Sequence, residues 1–425
     1  MAIKRREFIN LTTKATVATG MFATLAACKN IQQPSEEAPK ETKLKNKVSD
    51  IAPISTEERQ QRVAKAQRLM SEQGVEALII DSGTTLDYFT GIHWWPSERT
   101  MVAIIPSNGE VFYICPGFEE DRLRENVTIG KDILVWQEDE SPFKLIVNSL
   151  NDKGITSGNI ALENYVRFFV MDGIRKEGPN FNYVTDTITK ECRLIKSPNE
   201  IALMQRAFDI TAEAIKTGIS QLKEGMSQGE LAAIISNAHR EMGVSGGGLV
   251  LFGVSSSFPH GSKVPQTLKK GDVVLMDCGC DVHGYASDIT RTVIFGEPTD
   301  KQLKIWNLEK KAQDAGFAAA QIGATCGSVD TASRKVITDA GYGPGYKLPG
   351  LPHRTGHGIG MDGHEWGYIV KGNEQKLEPG MCFSIEPTIA LPGEFGIRLE
   401  DCVYMTENGP KWFVQPSPSI DQPFV

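Results

Sequence analysis

The chain has 425 residues, of which 40% are hydrophobic and 23% charged, and a formal net charge of −8. That composition fits a soluble globular protein of two domains with a sizeable core. No run of lysine and arginine follows the N-terminus, so nothing points to a nucleic-acid partner. Of the eight cysteines, Cys28 stands apart near the N-terminus. The other seven show no metal-finger spacing, and several sit in apolar strand-like runs, so they read as small buried thiols.

Residues 1–28 read as a targeting segment. Lys4, Arg5 and Arg6 come first, followed by a mildly apolar stretch from Leu11 to Ala27. That stretch is too short, and too interrupted by threonines and Lys14, to span a membrane. It ends in Leu25-Ala26-Ala27-Cys28, which resembles a bacterial lipoprotein box whose Cys becomes the lipidated first residue of the mature chain. Arg5-Arg6 with Phe8 resembles a twin-arginine export signal. These features predict export to the bacterial cell envelope, in the periplasm or on a membrane, with a lipid at Cys28 as the sole membrane anchor. Residues 29–50 are rich in Lys, Glu, Gln, Pro and Ser. They cannot bury enough surface to fold, which predicts a flexible tether.

Ser55-Thr56-Glu57-Glu58 has the form of a capping box, and Val63, Ala66, Leu69 and Met70 follow on one helical face, with Gly74 placed to stop the helix. Val75–Asp81 reads as a buried strand. Met101–Ile105 and Val111–Cys115 flank Asn108-Gly109, a hairpin signal, and Ile133–Trp136 and Ile160–Leu162 add strands. Residues 51–187 are therefore expected to form a mixed α/β domain. A second capping box, Ser197-Pro198-Asn199-Glu200, opens a helix with Met204, Ala207, Phe208, Thr211, Ala214 and Ile215 on one face. Ser227–Glu230 and Thr299–Gln302 open two more. With strands such as Val273–Met276 and Thr292–Phe295 between and after them, residues 190–415 are expected to form an α+β domain, long helices against a curved, largely antiparallel sheet.

The chemistry lies in that second region. Val273–Met276 is wholly apolar and then meets Asp277, and a carboxylate at the end of a buried strand is costly unless paired or ligating. Asp281–Gly284 is a plausible turn, after which the chain presents Asp288. A hairpin would bring Asp277 and Asp288 together, and two carboxylates at close range call for a positive charge between them. His357 stands between glycines in RTGHGIG, with His353 and His364 on either side. Glu386 lies in the apolar FSIEPTI, and GIRLEDCV places Arg398, Glu400 and Cys402 on one strand face. Four carboxylates and an imidazole suit hard or borderline divalent ions: manganese first, then cobalt, iron or zinc. Their charge suits two ions about 3.5–4 Å apart, as in two-metal hydrolases. Cys278 and Cys280 flank Gly279 on the strand face away from Asp277, and no second cysteine pair has the spacing of a zinc site.

In type, order and local sequence, Asp277, Asp288, His357, Glu386 and Glu400 resemble the five metal ligands of the pita-bread metallopeptidases. The resemblance covers essentially residues 51–415. It implies a C-terminal pita-bread catalytic domain behind a smaller creatinase/prolidase-like α/β domain. It also implies that Asp277 binds one ion, His357 and Glu386 the other, and that Asp288 and Glu400 bridge them. Methionine aminopeptidases share the ligands but usually lack the large N-terminal domain, and creatinases lack the ligands. His260 in SSSFPHG, His353, His364 in MDGHE, and Arg398 match the aminopeptidase P and prolidase branch. There His260 would contact substrate, His353 would line the proline pocket, and His364 would steady the scissile carbonyl. Tyr88–Gly91 through Ser97–Arg99 also resembles the branch, with His93, Trp94 and Trp95 as candidates for shaping the cleft of a homodimer. The expected function is an aminopeptidase acting on peptides with proline in second position, with a prolidase-like Xaa-Pro dipeptidase as the alternative and a non-enzymatic binding protein as a distant third.

Overall fold

The computed structural model describes residues 44–425. The export and lipidation expectations for residues 1–28, Cys28 included, lie outside the described residues. So does the tether as far as residue 43. Its last stretch departs from expectation. Leu44 and Val48 pack against the core of the second domain, the Lys47 amide donates to Met242 O at 2.9 Å, and Arg206 donates to Asp50 at 2.6 Å. Two apolar side chains and a cation on the facing helix are enough to dock a segment that is otherwise polar.

The first domain is a three-layer sandwich. In chain order it runs α1 (Thr56–Gln73), β1 (Val75–Asp81), α2 (Thr84–Thr90), β2 (Val102–Pro106), β3 (Phe112–Pro116), α3 (Glu120–Arg124), β4 (Asp132–Trp136), α4 (Pro142–Asp152), β5 (Gly158–Leu162), α5 (Phe168–Glu177), β6 (Phe181–Thr185) and α6 (Ile188–Arg193). One six-stranded sheet has the order β4-β3-β2-β1-β5-β6. β1–β2 and β2–β3 are antiparallel and the remaining pairs parallel. The period of two along β1 divides the core. Leu78 and Ile80 face Val63, Ala66 and Met70 of α1, while Ala77 and Ile79 face Ile146 and Leu150 of α4 and Ile174 of α5. The hairpin at Asn108-Gly109 forms as expected, and Gly74 caps α1 in the left-handed region at φ 66.

The second domain follows with α7 (Pro198–Ser220), α8 (Gln228–Glu241), β7 (Gly246–Phe252), β8 (Val273–Val282), β9 (Tyr285–Ala286), β10 (Ile289–Ile294), α9 (Asp300–Ala319), α10 (Cys326–Asp339), β11 (Gly356–Gly358), β12 (Glu365–Ile369), β13 (Cys382–Ile385), β14 (Thr388–Leu391), β15 (Phe395–Arg398), β16 (Asp401–Thr406) and β17 (Gly409–Trp412). Every strand pairing in it is antiparallel, but the expected single sheet is divided into β10-β8-β7 with β9, β12-β11-β13-β16-β17, and the pair β14-β15. α7 and α8 pack on the first piece. α9 packs over the pieces that follow β10, with Trp306 buried against Ile389 and Ile397. The two larger pieces meet at one bridge, where Thr290 and Glu400 exchange backbone hydrogen bonds of 3.2 Å. The domain runs past the expected end at 415, because Arg291 Nε donates to Pro423 O at 2.7 Å and Ile420 is buried.

The capping boxes at Ser197, Ser227 and Thr299 are complete. The one at Ser55 is half made. Ser55 Oγ accepts from the Glu58 amide, but the Glu58 carboxylate accepts from Ser197 Oγ and Asn199 Nδ2, each at 2.7 Å. It ties the first domain to the N-terminus of α7 while still accepting from Arg62 of its own helix at 3.2 Å. All seven cysteines among the described residues are buried free thiols.

Candidate metal centre

The site gathers where the two sheet pieces of the second domain meet. β8 and β9 form a hairpin turned by His283 (φ 49) and Gly284 (φ 83), and β10 continues its returning arm. Asp277 lies opposite Thr290, so Asp288, two residues earlier, projects from the same face. Across the bridge from Thr290 stands Glu400, buried at 2% exposure like His357. His357 sits at the centre of β11, whose neighbours come so close that a Cβ on Gly358 would lie 1.7 Å from Trp366 O. Only glycine lets the strand carrying His357 reach this depth. Glu386 follows β13 directly, its amide bonded to Thr355 O at 2.7 Å.

Three overlapping groups have their donor atoms within 4.8 Å of one another: Asp277, Asp288 and Glu400; His357, Glu386 and Glu400; and Asp288, His357 and His364. His357 Nε2 is 3.1 Å from Glu386 Oε1 and 3.8 Å from both Asp288 Oδ2 and Glu400 Oε1. Asp277 thus stands at one end, His357 and Glu386 at the other, with Asp288 and Glu400 between. A pair of bridging carboxylates needs that arrangement.

The electrostatics say what the donors lack. Burial pushes Asp288 well above the usual carboxylate range, and Asp277 beside it adds to the effect. Burial does the same to Glu400, with Asp288 and Glu386 contributing. Burial also works to raise Glu386, but the His357 ring overrides it and, with His353 and Arg398, holds that carboxylate down at about 2. Glu400 Oε2 accepts from Thr290 Oγ1 at 2.6 Å, while its other oxygen is buried with no hydrogen-bond partner. An orphaned buried carboxylate oxygen amid three further carboxylates is a seat for cationic charge. All donors are oxygen or imidazole nitrogen, the set that divalent first-row ions accept. The residues present therefore fit two divalent ions.

The supporting groups are equally defined. Arg398 pairs with Asp277 and donates to Thr290 Oγ1 at 3.2 Å and to Pro259 O at 3.1 Å. His353, half-buried, has Nε2 3.0 Å from Thr388 Oγ1 and Nδ1 2.7 Å from Arg354 O. Burial lowers its pKa, and His260, exposed on the loop after β7, is close enough to lower it further. His364 lies over His357. Cys402 Sγ is 3.6 Å from Asp288 O, but the single strand face expected for Arg398, Glu400 and Cys402 is broken, because Arg398 ends β15 and Cys402 lies on β16 of another sheet piece. His93 is exposed, 3.2 Å from Asp87 Oδ2. Trp94 lies under the Arg122 guanidinium at 4.3 Å, and Trp95 projects into solvent at 85% exposure. Sequence reasoning missed Thr290 and Ser384, whose hydroxyl donates to Glu386 Oε1 at 3.2 Å. Each lies two residues from a ligand on the same strand face, so the period of two could have found both.

The fold and the donor set define a metallopeptidase of two domains. The chain belongs to metallopeptidase family M24: residues 202–407 match that family, and residues 62–195 match the creatinase/prolidase N-terminal domain. It is 32% identical over 366 residues to a Xaa-Pro dipeptidase of Lactobacillus delbrueckii subsp. lactis, covering 84% of this chain and 97% of that one. A solved prolidase from Thermococcus sibiricus superposes with a TM-score of 0.77 at 29% identity, over 84% of this chain and 97% of that one. A variant of Escherichia coli aminopeptidase P gives 0.68 at 20% identity, over 85% and 95%, a likeness of fold alone. The pita-bread fold expected from the sequence is thus present. The order of the two peptidase expectations is not supported, since the nearer of these relatives is a dipeptidase and aminopeptidase P is more distant.

Proposed function

We propose that this protein is an Xaa-Pro dipeptidase that hydrolyses the bond before the proline of a dipeptide, with two divalent ions held by Asp277, Asp288, His357, Glu386 and Glu400. One observation carries the reading. A chain that gathers these five donors in one place is also similar, over nearly the full length of that relative, to a protein named Xaa-Pro dipeptidase.

Bound there, the ions (manganese first, with zinc, cobalt or iron as alternatives) would supply Lewis acidity toward the scissile carbonyl and acidify the attacking water. The rest falls to the protein. Glu386, held ionised, takes a proton from water and passes it to the leaving imino nitrogen. His364, whose pKa burial and then His357 both lower, presents a neutral ring N–H to the carbonyl oxygen as negative charge develops there. Arg398 holds Asp277 in place. In this reading His260 and His353 would line the pocket for the proline ring. Proline lacks an amide N–H and has a fixed φ, so a wall that recognises its ring does what backbone hydrogen bonding cannot.

Initial rates on Gly-Pro and on the tripeptide Gly-Pro-Gly test the reading. Hydrolysis of the dipeptide alone is expected. Cleavage of the tripeptide at a comparable rate would return the protein to the aminopeptidase class.

The setting is proposed on two grounds: residues 1–28 point to export to the cell envelope with a lipid on Cys28, and the family resemblance of the first domain points to a homodimer. Fatty-acid labelling of the wild type and of Cys28→Ala checks it, and label retained by the variant would rule the anchor out.

A further inference from the structure

The six residues Gly360–Glu365 carry His364, yet much of what holds them comes from the first domain and from the junction that follows it. Thr84 Oγ1, at the start of α2, donates to Asp362 Oδ1 at 2.6 Å. Arg193, the last residue of α6, donates to Asp362 Oδ2 at 2.8 Å and is also paired with Glu365. Lys196 Nζ donates to Glu365 Oε2 at 3.0 Å. Glu365 Oε1 turns back to accept from the Asp362 amide at 3.1 Å. The two carboxylates thus bracket His364 in sequence, and both are tied to one guanidinium. Met361 packs against the hydrophobic cores of both domains. A Cβ on Gly360 would meet Lys196 Cε and Glu365 Oε2, each at 2.7 Å, so the ion cluster closes onto the backbone itself.

Arg193, Lys196 and Glu365 are all at least nine-tenths buried. Burial works to raise Glu365, but Lys196 and Arg193 hold it down at about 2. A buried ion network of this kind contributes little net stability compared with an apolar replacement, and its better-attested use is to fix one geometry. The forked guanidinium suits that use, because it can hold two carboxylates in a set relation where an ammonium cannot. By contrast, His364 itself is exposed, and its ring stands on that of His357. Its position therefore depends on the loop.

We propose that Arg193 and Thr84 are positioning residues for His364: the first domain, through Asp362 and Glu365, sets where that imidazole stands over the metal centre. The inference rests on the role given to His364 in the proposed function. It makes the first domain part of the catalytic apparatus of the same chain, besides any part it has in walling the cleft.

The test uses the metal-loaded, full-length protein. In Thr84→Val, a near-isosteric change, and in Arg193→Lys, which keeps the charge opposite Glu365, kcat on Gly-Pro should fall by about 10- to 100-fold, the cost of a displacement of about 1 Å. KM should stay within about twofold and metal content should be unchanged. Arg193→Lys should lose more than Thr84→Val, since it gives up the fork that holds Asp362 and Glu365 together. In a His364→Ala background the same substitutions should cost nothing further. Amide hydrogen exchange should quicken in residues 360–365 and stay unchanged in β8 and β13. Losses that multiply in the His364→Ala background, or unaltered exchange at 360–365, would overturn the proposal. A His364→Ala protein as active as wild type would instead sink the role of His364 in the reaction, while the exchange measurement still decides whether the junction holds the loop.

Discussion

The imidazole of His364 lies flat on that of His357, with ring centroids 3.7 Å apart and planes 13° from parallel. One ring belongs to the buried set of candidate ligands and the other opens to solvent. The contact gives the two histidines separable tasks. His357→Ala should lose metal and activity together. His364→Ala should keep its metal and lose about 10²–10³ in kcat, the usual cost of one donor to a developing oxyanion. Metal analysis beside steady-state kinetics on Gly-Pro checks both, and loss of metal from His364→Ala would merge the roles.

The close approach at Gly358 makes that position intolerant. Gly358→Ala places a methyl 1.7 Å from Trp366 O, so β11 and β12 must part. Overpacking of this kind costs about 1–3 kcal/mol and moves His357. Urea denaturation should show the loss of stability, and metal titration a weakened affinity. A variant with both properties unchanged would contradict the register described for β11.

Glu163 supplies a pH dependence that does not involve the metal ligands. Burial raises its pKa to about 7, against hydrogen bonds from the Tyr165 amide (2.8 Å) and Thr85 Oγ1 (3.1 Å). Its folded pKa lies above the unfolded value. Its share of stability is therefore full below about pH 4.5 and lost as pH rises through about 7. The whole span is worth ~3 kcal/mol for one such group. Glu163→Gln should flatten the stability profile between pH 5 and 8 and be the more stable protein at pH 8. Denaturation at several pH values measures it, and a profile as steep as wild type would refute the assignment.

Much of the candidate centre was legible in the chain because its acids interrupt apolar strands, where an unpaired carboxylate is costly. Asp277 after Val273–Met276 and Glu386 inside FSIEPTI announce themselves in this way. The hairpin that joins Asp277 to Asp288 was legible from its turn, and the three complete capping boxes from local spacing. What was hidden depends on distant pairings. The Glu58 carboxylate reaches Ser197 and Asn199 instead of closing back on the Ser55 amide. Asp362 meets Thr84 across 278 positions of sequence. The second domain's sheet is divided into pieces, the two larger of which meet at the Thr290–Glu400 bridge, and no local pattern marks that junction. The docking of residues 44–50 was masked by polar composition, since only Leu44, Val48 and a few polar contacts make it.

The metal content of the purified protein, measured beside Gly-Pro hydrolysis for the wild type and Asp288→Ala, tests the two-ion centre. Asp288 belongs to the groups at both ends of the centre, so its loss should disturb both ions. About two equivalents of divalent metal and full activity are expected for the wild type, with fewer than about one equivalent and no measurable hydrolysis for Asp288→Ala. An Asp288→Ala protein that cleaves Gly-Pro at the wild-type rate would contradict the site at its centre.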